Sequence, residues 1–391
     1  MQVLLPNFHK NFDVLAENES SQPLTRRYVE QDLRQIYKGD LYYANDAFDG
    51  LRYMEQIASR RNGKRSIEPV PAGVTPKTIE EDENLIGLEA KIAMVPKVTQ
   101  PVSKTVASID IPTPPFWGTK VVENIPLEEV FCYINEAALI RGQWQMRRGK
   151  LTETEYKKML DEKVYPDFQR LKTRVRRERL LEPKVAYGYF PCQSNGDDLI
   201  IYKLKYLSDP VSLWNYIGHP TIDDLTEWIR FTFPRQTKGR FLCISDFFAS
   251  KDSGKVDVVA FHLVTMGKVA SEHSAKLFKS NNYKEYLYFH GLSVESAEAL
   301  AELWYKKIRE ELGIHLKDAS EIKKLFNQHY QGSRYSFGYP ACPSLEDQAK
   351  LFELLQPEQI GVSLTEEYQL VPEQSTSAII VHHPEVRYFN I

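Results

Sequence analysis

The residues best suited to ligand chemistry lie in a short loop near the C-terminal end of the sequence, Arg334-Tyr-Ser-Phe-Gly-Tyr-Pro340. An arginine can bind a carboxylate through two parallel hydrogen bonds, and a glycine allows close approach of the backbone. A tyrosine ring can pack on a sulfonium or on an adenine face. The loop is therefore a candidate ligand site. The same residue types are equally compatible with a tight loop whose arginine pairs with a structural acid.

Histidines and cysteines do not provide a second candidate site. His382 and His383 end an expected strand, but no third ligand at suitable spacing accompanies them, so the pattern does not favour a metal site. The four cysteines are isolated in the sequence: Cys132, Cys192, Cys243 and Cys342. Since they form no C-x-x-C pair, they match neither a zinc site nor a disulfide framework. Cys342 is expected to pack as a small apolar residue.

The composition is that of an ordinary soluble globular protein. Of the 391 residues, 42% are hydrophobic, which is enough for a sizeable core and for about two domains. The net charge is −3, with Lys and Arg spread along the chain, so neither nucleic acid nor an anionic membrane is expected as a partner. The sequence has no long apolar stretch and no signal-peptide pattern. Together with the isolated cysteines, this predicts a cytoplasmic location.

Residues that must position the loop fall into three parts. Residues 1–60 contain a small strand-and-helix fragment, and residues 61–105 collect Pro, Thr, Glu and Lys as an extended linker does. Residues 106–391 hold the remaining elements, in which strands occur in runs and helices are grouped between them. This order predicts an α+β fold, a twisted and mainly antiparallel sheet flanked by helices, preceded by a small α/β remnant.

Periodicity and turn residues predict individual elements within the third part. The expected helices are Pro126–Arg148, Thr152–Leu181, Ala270–Lys279, Ser293–Leu312 and Ala319–Tyr330. The expected strands are Val185–Phe190, Leu199–Leu204, Phe241–Phe247, Val256–Thr265, Tyr368–Pro372, Ser377–His382 and Val386–Asn390.

A longer segment around the arginine loop carries a family resemblance. Tyr330-Gln-Gly-Ser-Arg-Tyr-Ser-Phe-Gly-Tyr-Pro-Ala-Cys-Pro343 resembles the signature of the activation domain of cobalamin-dependent methionine synthases, the C-terminal domain that binds S-adenosylmethionine. Phe233-Pro-Arg-Gln236 and His383-Pro-Glu-Val-Arg-Tyr-Phe389 follow the same family order. The resemblance covers roughly residues 106–391, with weaker coverage of residues 22–60.

The resemblance implies a set of S-adenosylmethionine contacts. They fall on these positions: Asn135, Glu298, Arg334, Tyr339, the backbone near Ala341, Tyr388 and Phe389. Well-studied members have an aspartate where this chain has Asn135, and an amide offers only neutral hydrogen bonds to a cation. Glu136 is adjacent, but on a helix the next side chain points about 100° away.

Glu298 also has a simpler interpretation. Glu295 and Glu302 share its expected helix, so all three carboxylates are predicted to be solvated charges on an exposed helix face, in preference to a ligand role.

Other parts of the parent enzyme are not found in the sequence. The family's cobalamin-binding domains carry a D-x-H-x-x-G loop that supplies a histidine to the cofactor, and no aspartate here is followed two residues later by histidine. No cysteine cluster is present that would hold the zinc needed to activate homocysteine. Residues 1–60 resemble the end of the cobalamin-binding domain and are interpreted as its remnant, truncated or diverged upstream.

The resemblance implies a function in which the chain is one module of a methyltransferase. The module is expected to place S-adenosylmethionine over the cobalt of cobalamin, so that an electron from a flavodoxin-like donor and a methyl group restore methylcobalamin. Its partner would be a cobalamin-binding domain or subunit, and cobalamin would be contacted but not ligated by this chain. No side chain is expected to act as general acid or nucleophile.

Two other functions fit the residues less well. One is a non-catalytic S-adenosylmethionine sensor or scaffold that makes no contact with cobalamin. The other is an independent small-molecule methyltransferase, which would need a base or nucleophile converging on the groove, and no such constellation is visible.

Overall fold

A computed structural model describes residues 109–205 and 220–389 of the chain. The expected α/β remnant at residues 1–60 and the expected linker at residues 61–105 lie outside the described residues. No helix in the described ranges is long and apolar enough to cross a membrane.

The described residues form helices and strands in the order that an α+β fold requires. The α-helices are α1 (Leu127–Cys132), α2 (Glu153–Met159), α3 (Tyr165–Glu178), α4 (Lys268–Lys279), α5 (Tyr283–Glu311), α6 (Ile322–Leu325) and α7 (Asp347–Leu355). The strands are β1 (Gly118–Val122), β2 (Lys184–Asn195), β3 (Asp198–Leu204), β4 (Leu225–Thr232), β5 (Asp257–Thr265), β6 (Ser333–Ser336), β7 (Ser363–Leu364), β8 (Leu370–Val371) and β9 (Ser375–Val381). Two π-helical segments, Ala138–Gln143 and Leu160–Val164, connect the early helices.

One antiparallel sheet of seven strands organises the described part of the chain. Its order is β4-β3-β2-β5-β9-β6, and β1 also pairs with β2. The long strand β2 accommodates two partners on one edge, because β1 pairs with residues 185–189 and β3 with residues 192–195. The other edge of β2 pairs with β5. This arrangement confirms the predicted α+β class and the antiparallel sheet.

The sheet is buried on both faces. Along the central strand β5 every residue is buried, and alternate side chains enter two different core clusters. Val258, Ala260 and Val264 face the cluster that includes α5, whereas Val259 and Phe261 face the cluster that includes α7. The 29-residue helix α5 thus covers one face of the sheet.

Several individual elements differ from the sequence prediction. The predicted strand Phe241–Phe247 is wrong, because Ile244–Phe247 form a 3₁₀ turn. The carboxylate of Asp246 closes that turn by accepting a hydrogen bond from the Cys243 backbone N–H at 2.9 Å and by binding Arg235 through two hydrogen bonds. Strands β1, β4, β6 and β7 were not predicted.

Two further boundaries changed for local reasons. The predicted helix Ala319–Tyr330 is shortened to α6. It could not have reached Tyr330, because Gln328 adopts a left-handed conformation with φ of 58°. The predicted helix Pro126–Arg148 breaks after α1 and restarts as the first π-helical segment. Residues 386–389, predicted as part of a strand, form none.

The close approach of that π-helical segment to α5 depends on a glycine. A Cβ at Gly291 would lie 2.9 Å from Gln143 Cβ and 3.0 Å from Trp144 Nε1. The absence of a side chain there lets the buried Trp144 indole donate a hydrogen bond to the Tyr288 carbonyl at 3.1 Å. Gly291 therefore fixes the distance between α5 and the chain that follows α1.

We expect Gly291→Ala to lower the free energy of unfolding by about 1–3 kcal/mol, because the added methyl group must displace packed atoms. Chemical denaturation measures this change. Gly142→Ala is a matched control, since a Cβ at Gly142 meets nothing within 4 Å. Equal stability of the two variants would contradict the packing role of Gly291.

Candidate functional site

A cleft of about 380 Å³ lies where α5, β6 and the C-terminal segment meet. That volume is within the range of small-molecule sites. The cleft is lined by Tyr133, Asn135, Ala138, Glu295, Glu298, Ala299, Glu302, Leu325, Phe326, Gln328, Tyr330, Ser333, Arg334, Ser336, Tyr339 and Tyr388. Five of the seven residues expected to contact a ligand line it: Asn135, Glu298, Arg334, Tyr339 and Tyr388.

Helix α5 contributes three glutamates to the cleft. Glu295, Glu298 and Glu302 follow i, i+3, i+7 spacing, which places them along one side of a helix. The expected exposure of Glu295 and Glu302 is wrong, because they expose only 6% and 7% of their surface, whereas the Glu298 side chain is 43% exposed. The three acids lie on one side of a helix that is otherwise rich in alanine and leucine. This pattern could have indicated that some of their carboxylates are buried.

Arg334 lies on β6 opposite these glutamates. The register that pairs Arg334 with Ile380 of β9 directs its side chain to the α5 face of the sheet. Its Nη2 lies 3.1 Å from Glu298 Oε2 and its Nε lies 3.4 Å from Glu302 Oε2. Burial would lower the pKa of Arg334, but the two carboxylates outweigh it and hold the pKa above its ordinary value.

The structure thus combines the two interpretations left open for the arginine loop. Arg334 does pair with structural acids, and it does so inside a cleft. A guanidinium has five N–H donors, so donors remain for a ligand carboxylate. The predicted loop position is corrected as well, since Arg334 belongs to a paired strand and is held more rigidly than a loop residue would be.

The cleft carries more negative than positive charge. Three carboxylates line it, and Arg334 is the one arginine or lysine among the lining residues of the described chain. Glu302 Oε1 is buried without a hydrogen-bond partner. Burial, and then the neighbouring Glu298, raise the pKa of Glu295 to about 7. A buried acceptor and incompletely neutralised acids favour a ligand that bears a positive group.

Asn135 serves a backbone role at the rim of the cleft. Its Oδ1 accepts hydrogen bonds from the N–H groups of Ala137 and Ala138, both at 3.2 Å, and so caps the helical turn that leads into the π-helical segment. Its own backbone N–H donates to Glu295 Oε1 at 3.3 Å. Glu136 does not take the place of the family aspartate, because it does not line the cleft.

A tight turn presents Tyr339 at the mouth of the cleft. The Gly338 N–H donates to the Cys342 carbonyl and the Cys342 N–H donates to the Tyr339 carbonyl, each at 2.8 Å. Gly338 has φ of 86°, a conformation that glycine adopts without strain. Tyr339 remains 57% exposed and its ring is available for stacking. Cys342 is buried in the core, as predicted.

The C-terminal segment brings Tyr388 to the same mouth. Its ring stacks on Tyr335 of β6 with a centroid distance of 5.5 Å, and the Tyr335 hydroxyl donates to the Arg387 carbonyl at 2.9 Å. Phe389 and Ala341 do not line the cleft; they pack in the core on the opposite face of the sheet. Their predicted ligand contacts stay predictions, and Ala341 was expected to act through its backbone.

Tyr330 is a cleft residue that received no role in the sequence analysis. The guanidinium of the buried Arg309 lies between two rings, 4.1 Å from the Tyr305 centroid and 4.4 Å from the Tyr330 centroid. Burial, and then Glu302, raise the pKa of Tyr330 to about 12, so its hydroxyl stays protonated at neutral pH. The contact between Arg309 and Tyr330 could not be predicted from local sequence patterns, because it joins α5 to a segment beyond α6.

The two adjacent histidines lie away from the cleft. His382 Nε2 is 2.7 Å from Asp257 Oδ1 in a buried pair. Within residues 109–205 and 220–389, no group of three or more His, Cys, Asp or Glu side chains is arranged to hold a metal ion.

We expect Asn135→Ala to lower the free energy of unfolding by about 1 kcal/mol, because the capping acceptor is lost. Asn135→Asp keeps an acceptor at the same atom and should preserve stability. Thermal or chemical denaturation of the three proteins tests this, and equal stability of the Ala variant and the parent would contradict the capping role.

Comparisons with known proteins agree with this geometry. Residues 126–391 match the family model described as vitamin B12 dependent methionine synthase, activation domain. The methionine synthase of Mycobacterium tuberculosis is 39% identical over 387 residues, and that of Mycobacterium leprae is 38% identical over 391 residues. Each match covers 94% of this chain, which spans about a third (31%) of the relatives' length.

A solved structure supports the same assignment. The crystal structure of the MetH reactivation domain bound to AdoHcy is similar to this chain with a TM-score of 0.57 and 26% sequence identity. The similarity covers 72% of this chain and 83% of that one. With its signature strand, its antiparallel sheet and its match to the family model, the chain belongs to the activation-domain family of vitamin B12-dependent methionine synthases.

Proposed function

We propose that this chain binds S-adenosylmethionine in the cleft between α5 and β6 and presents its methyl group to oxidised cobalamin, as the reactivation module of a methionine synthase. The observation that carries the proposal is Arg334, held against Glu298 and Glu302 in a cleft with an excess of carboxylates. The solved relative with AdoHcy, the demethylated product of that ligand, supports it.

The cleft offers a complementary group for each part of S-adenosylmethionine. Arg334 suits the ligand's carboxylate. The three glutamates suit its ammonium and sulfonium charges, and the missing aspartate at position 135 is then compensated by acids from α5. The exposed rings of Tyr339 and Tyr388 suit the adenine and the sulfonium edge.

The residues of this chain act by position and charge. In the proposed reaction an electron from a donor and the methyl group of S-adenosylmethionine together convert oxidised cobalamin to methylcobalamin, with release of S-adenosylhomocysteine. No proton transfer to or from the protein is required, so no general acid or nucleophile is needed. The resemblance to a reactivation domain supports this function and gives no support to a sensor that lacks cobalamin contact.

The partners follow from this proposal. A cobalamin-binding domain or subunit would supply the cofactor, and a flavodoxin-like protein would supply the electron. We further propose that residues 1–60 derive from the cobalamin-binding domain and residues 61–105 link it to the activation domain, which fits a relative match over 94% of the chain. A cytoplasmic location fits four cysteines that are all free thiols.

We expect Arg334→Ala to weaken S-adenosylmethionine binding at least tenfold, about 1.4 kcal/mol, because it removes the guanidinium that binds the carboxylate of the ligand. Tyr339→Ala should weaken binding by several-fold without loss of stability, since that ring is 57% exposed. Isothermal calorimetry measures both affinities.

Arg230→Ala is the matched control for charge. Arg230 lies on β4, pairs with Asp198 at 2.7 Å and Glu227 at 2.9 Å, and does not line the cleft. Its loss should leave the affinity unchanged. Absence of S-adenosylmethionine binding in the intact chain, or equal effects of the Arg230 and Arg334 variants, would refute the proposed function.

A further inference from the structure

We propose that Glu295 makes the cleft selective for the positively charged sulfonium of S-adenosylmethionine over the neutral thioether left after methyl transfer, by giving up a proton when the cation binds. This inference rests on the proposed function and assigns a specificity role to a residue that the sequence analysis treated as a solvated charge.

The position of Glu295 separates it from the other two glutamates. The ion pairs of Arg334 go to Glu298 and Glu302, whereas Glu295 Oε1 accepts a hydrogen bond from the neutral backbone N–H of Asn135 at 3.3 Å. Glu295 nevertheless lines the cleft and exposes only 6% of its surface. It is a buried carboxyl group beside the ligand space, and the nearest arginine is engaged elsewhere.

The groups that face Glu295 leave its charge uncompensated. From its own helix come the like charges of Glu298 and Glu302, and from β6 comes Arg334. The segment after α1 contributes Tyr133 and Asn135, and the remaining walls contribute no cation but three tyrosines: Tyr330, Tyr339 and Tyr388. Glu298 and Glu302 already share the guanidinium of Arg334, so a third negative charge beside them is unfavourable.

Before a ligand binds, Glu295 is therefore partly protonated at neutral pH. Burial, followed by repulsion from Glu298, raises its pKa to about 7, against the opposing effects of the Asn135 N–H and Arg334. A bound sulfonium adds a positive charge that favours the ionised form, so the carboxyl proton passes to the buffer. The thioether adds no such charge. The ammonium and carboxylate groups are common to both ligands, and their effects cancel in a comparison.

The affinity for S-adenosylmethionine depends on pH through the protonation of Glu295. Below pH 7 the sulfonium must displace a proton in order to bind to an ionised Glu295, and above pH 7 the proton is already absent. Affinity for S-adenosylmethionine, relative to S-adenosylhomocysteine, should therefore rise with pH, by about tenfold between pH 6 and pH 8 if the bound form is fully ionised. It should level off above that range.

Calorimetry in two buffers of different ionisation enthalpy measures the proton release directly. At pH 7 we expect about half a proton to be released per S-adenosylmethionine bound, and close to none per S-adenosylhomocysteine. The count uses the unaltered chain, so it does not depend on how well a variant folds.

Glu295→Gln is the matching variant, since it retains an acceptor but has no titrating proton. It should abolish the difference in proton release and reduce the preference for the sulfonium roughly tenfold at pH 8. Glu310→Gln is the control on the same helix: Glu310 pairs with Lys306 at 3.3 Å with 43% of its side chain exposed, and it lies about 22 Å along the helix from Glu295. It should change neither quantity.

The role of Glu295 and the proposed function can fail independently in these experiments. Equal proton release for the two ligands, or an unchanged ligand preference in a folded Glu295→Gln variant, would overturn the role of Glu295 while S-adenosylmethionine binding still stood. Failure of the unaltered chain to bind S-adenosylmethionine would overturn both.

Discussion

The cleft depends on one electrostatic arrangement, the guanidinium of Arg334 held by Glu298 and Glu302 across the gap between β6 and α5. Glu302 is buried, and a buried charge is costly unless it is paired, so removal of Arg334 would leave Glu302 with an uncompensated cost of desolvation. Strand and helix are thereby tied together at the place where the cleft opens. The same pairing leaves Glu295 without a cation of its own, which gives the cleft its unfilled negative charge.

The rest of the fold serves to bring these groups together. The β6–β9 register sends Arg334 toward α5 and Tyr335 toward the opposite face. The Tyr335 ring still stacks on Tyr388, which lines the cleft. Gly291 lets the segment after α1 approach α5, so that Asn135 reaches Glu295. Four stretches far apart in sequence thus meet around about 380 Å³ of space.

Much of this arrangement was predictable from the sequence. The features that were not predicted depend on contacts between residues that are not adjacent in the sequence. The signature segment identified Arg334, Tyr339 and their neighbours because the motif is contiguous, and the runs of strands gave the fold class. The burial of Glu295 and Glu302 was not predicted, since an acid on a helix is usually solvated and its partner lies 30 or more residues away on β6. The false strand at residues 241–247 was apolar by pattern, but the Asp246–Arg235 pair closed it into a turn.

Family membership and cleft chemistry together support one central proposal, that this chain presents S-adenosylmethionine so that its methyl group and an electron from a donor convert oxidised cobalamin to methylcobalamin. The most direct test is to mix the intact chain with a separately prepared cobalamin-loaded domain, S-adenosylmethionine and a reducing donor, and to follow the cobalt absorption spectrum. The account predicts formation of methylcobalamin that depends on both the chain and S-adenosylmethionine. The same yield of methylcobalamin without the chain, or none in its presence although S-adenosylmethionine binds, would contradict it.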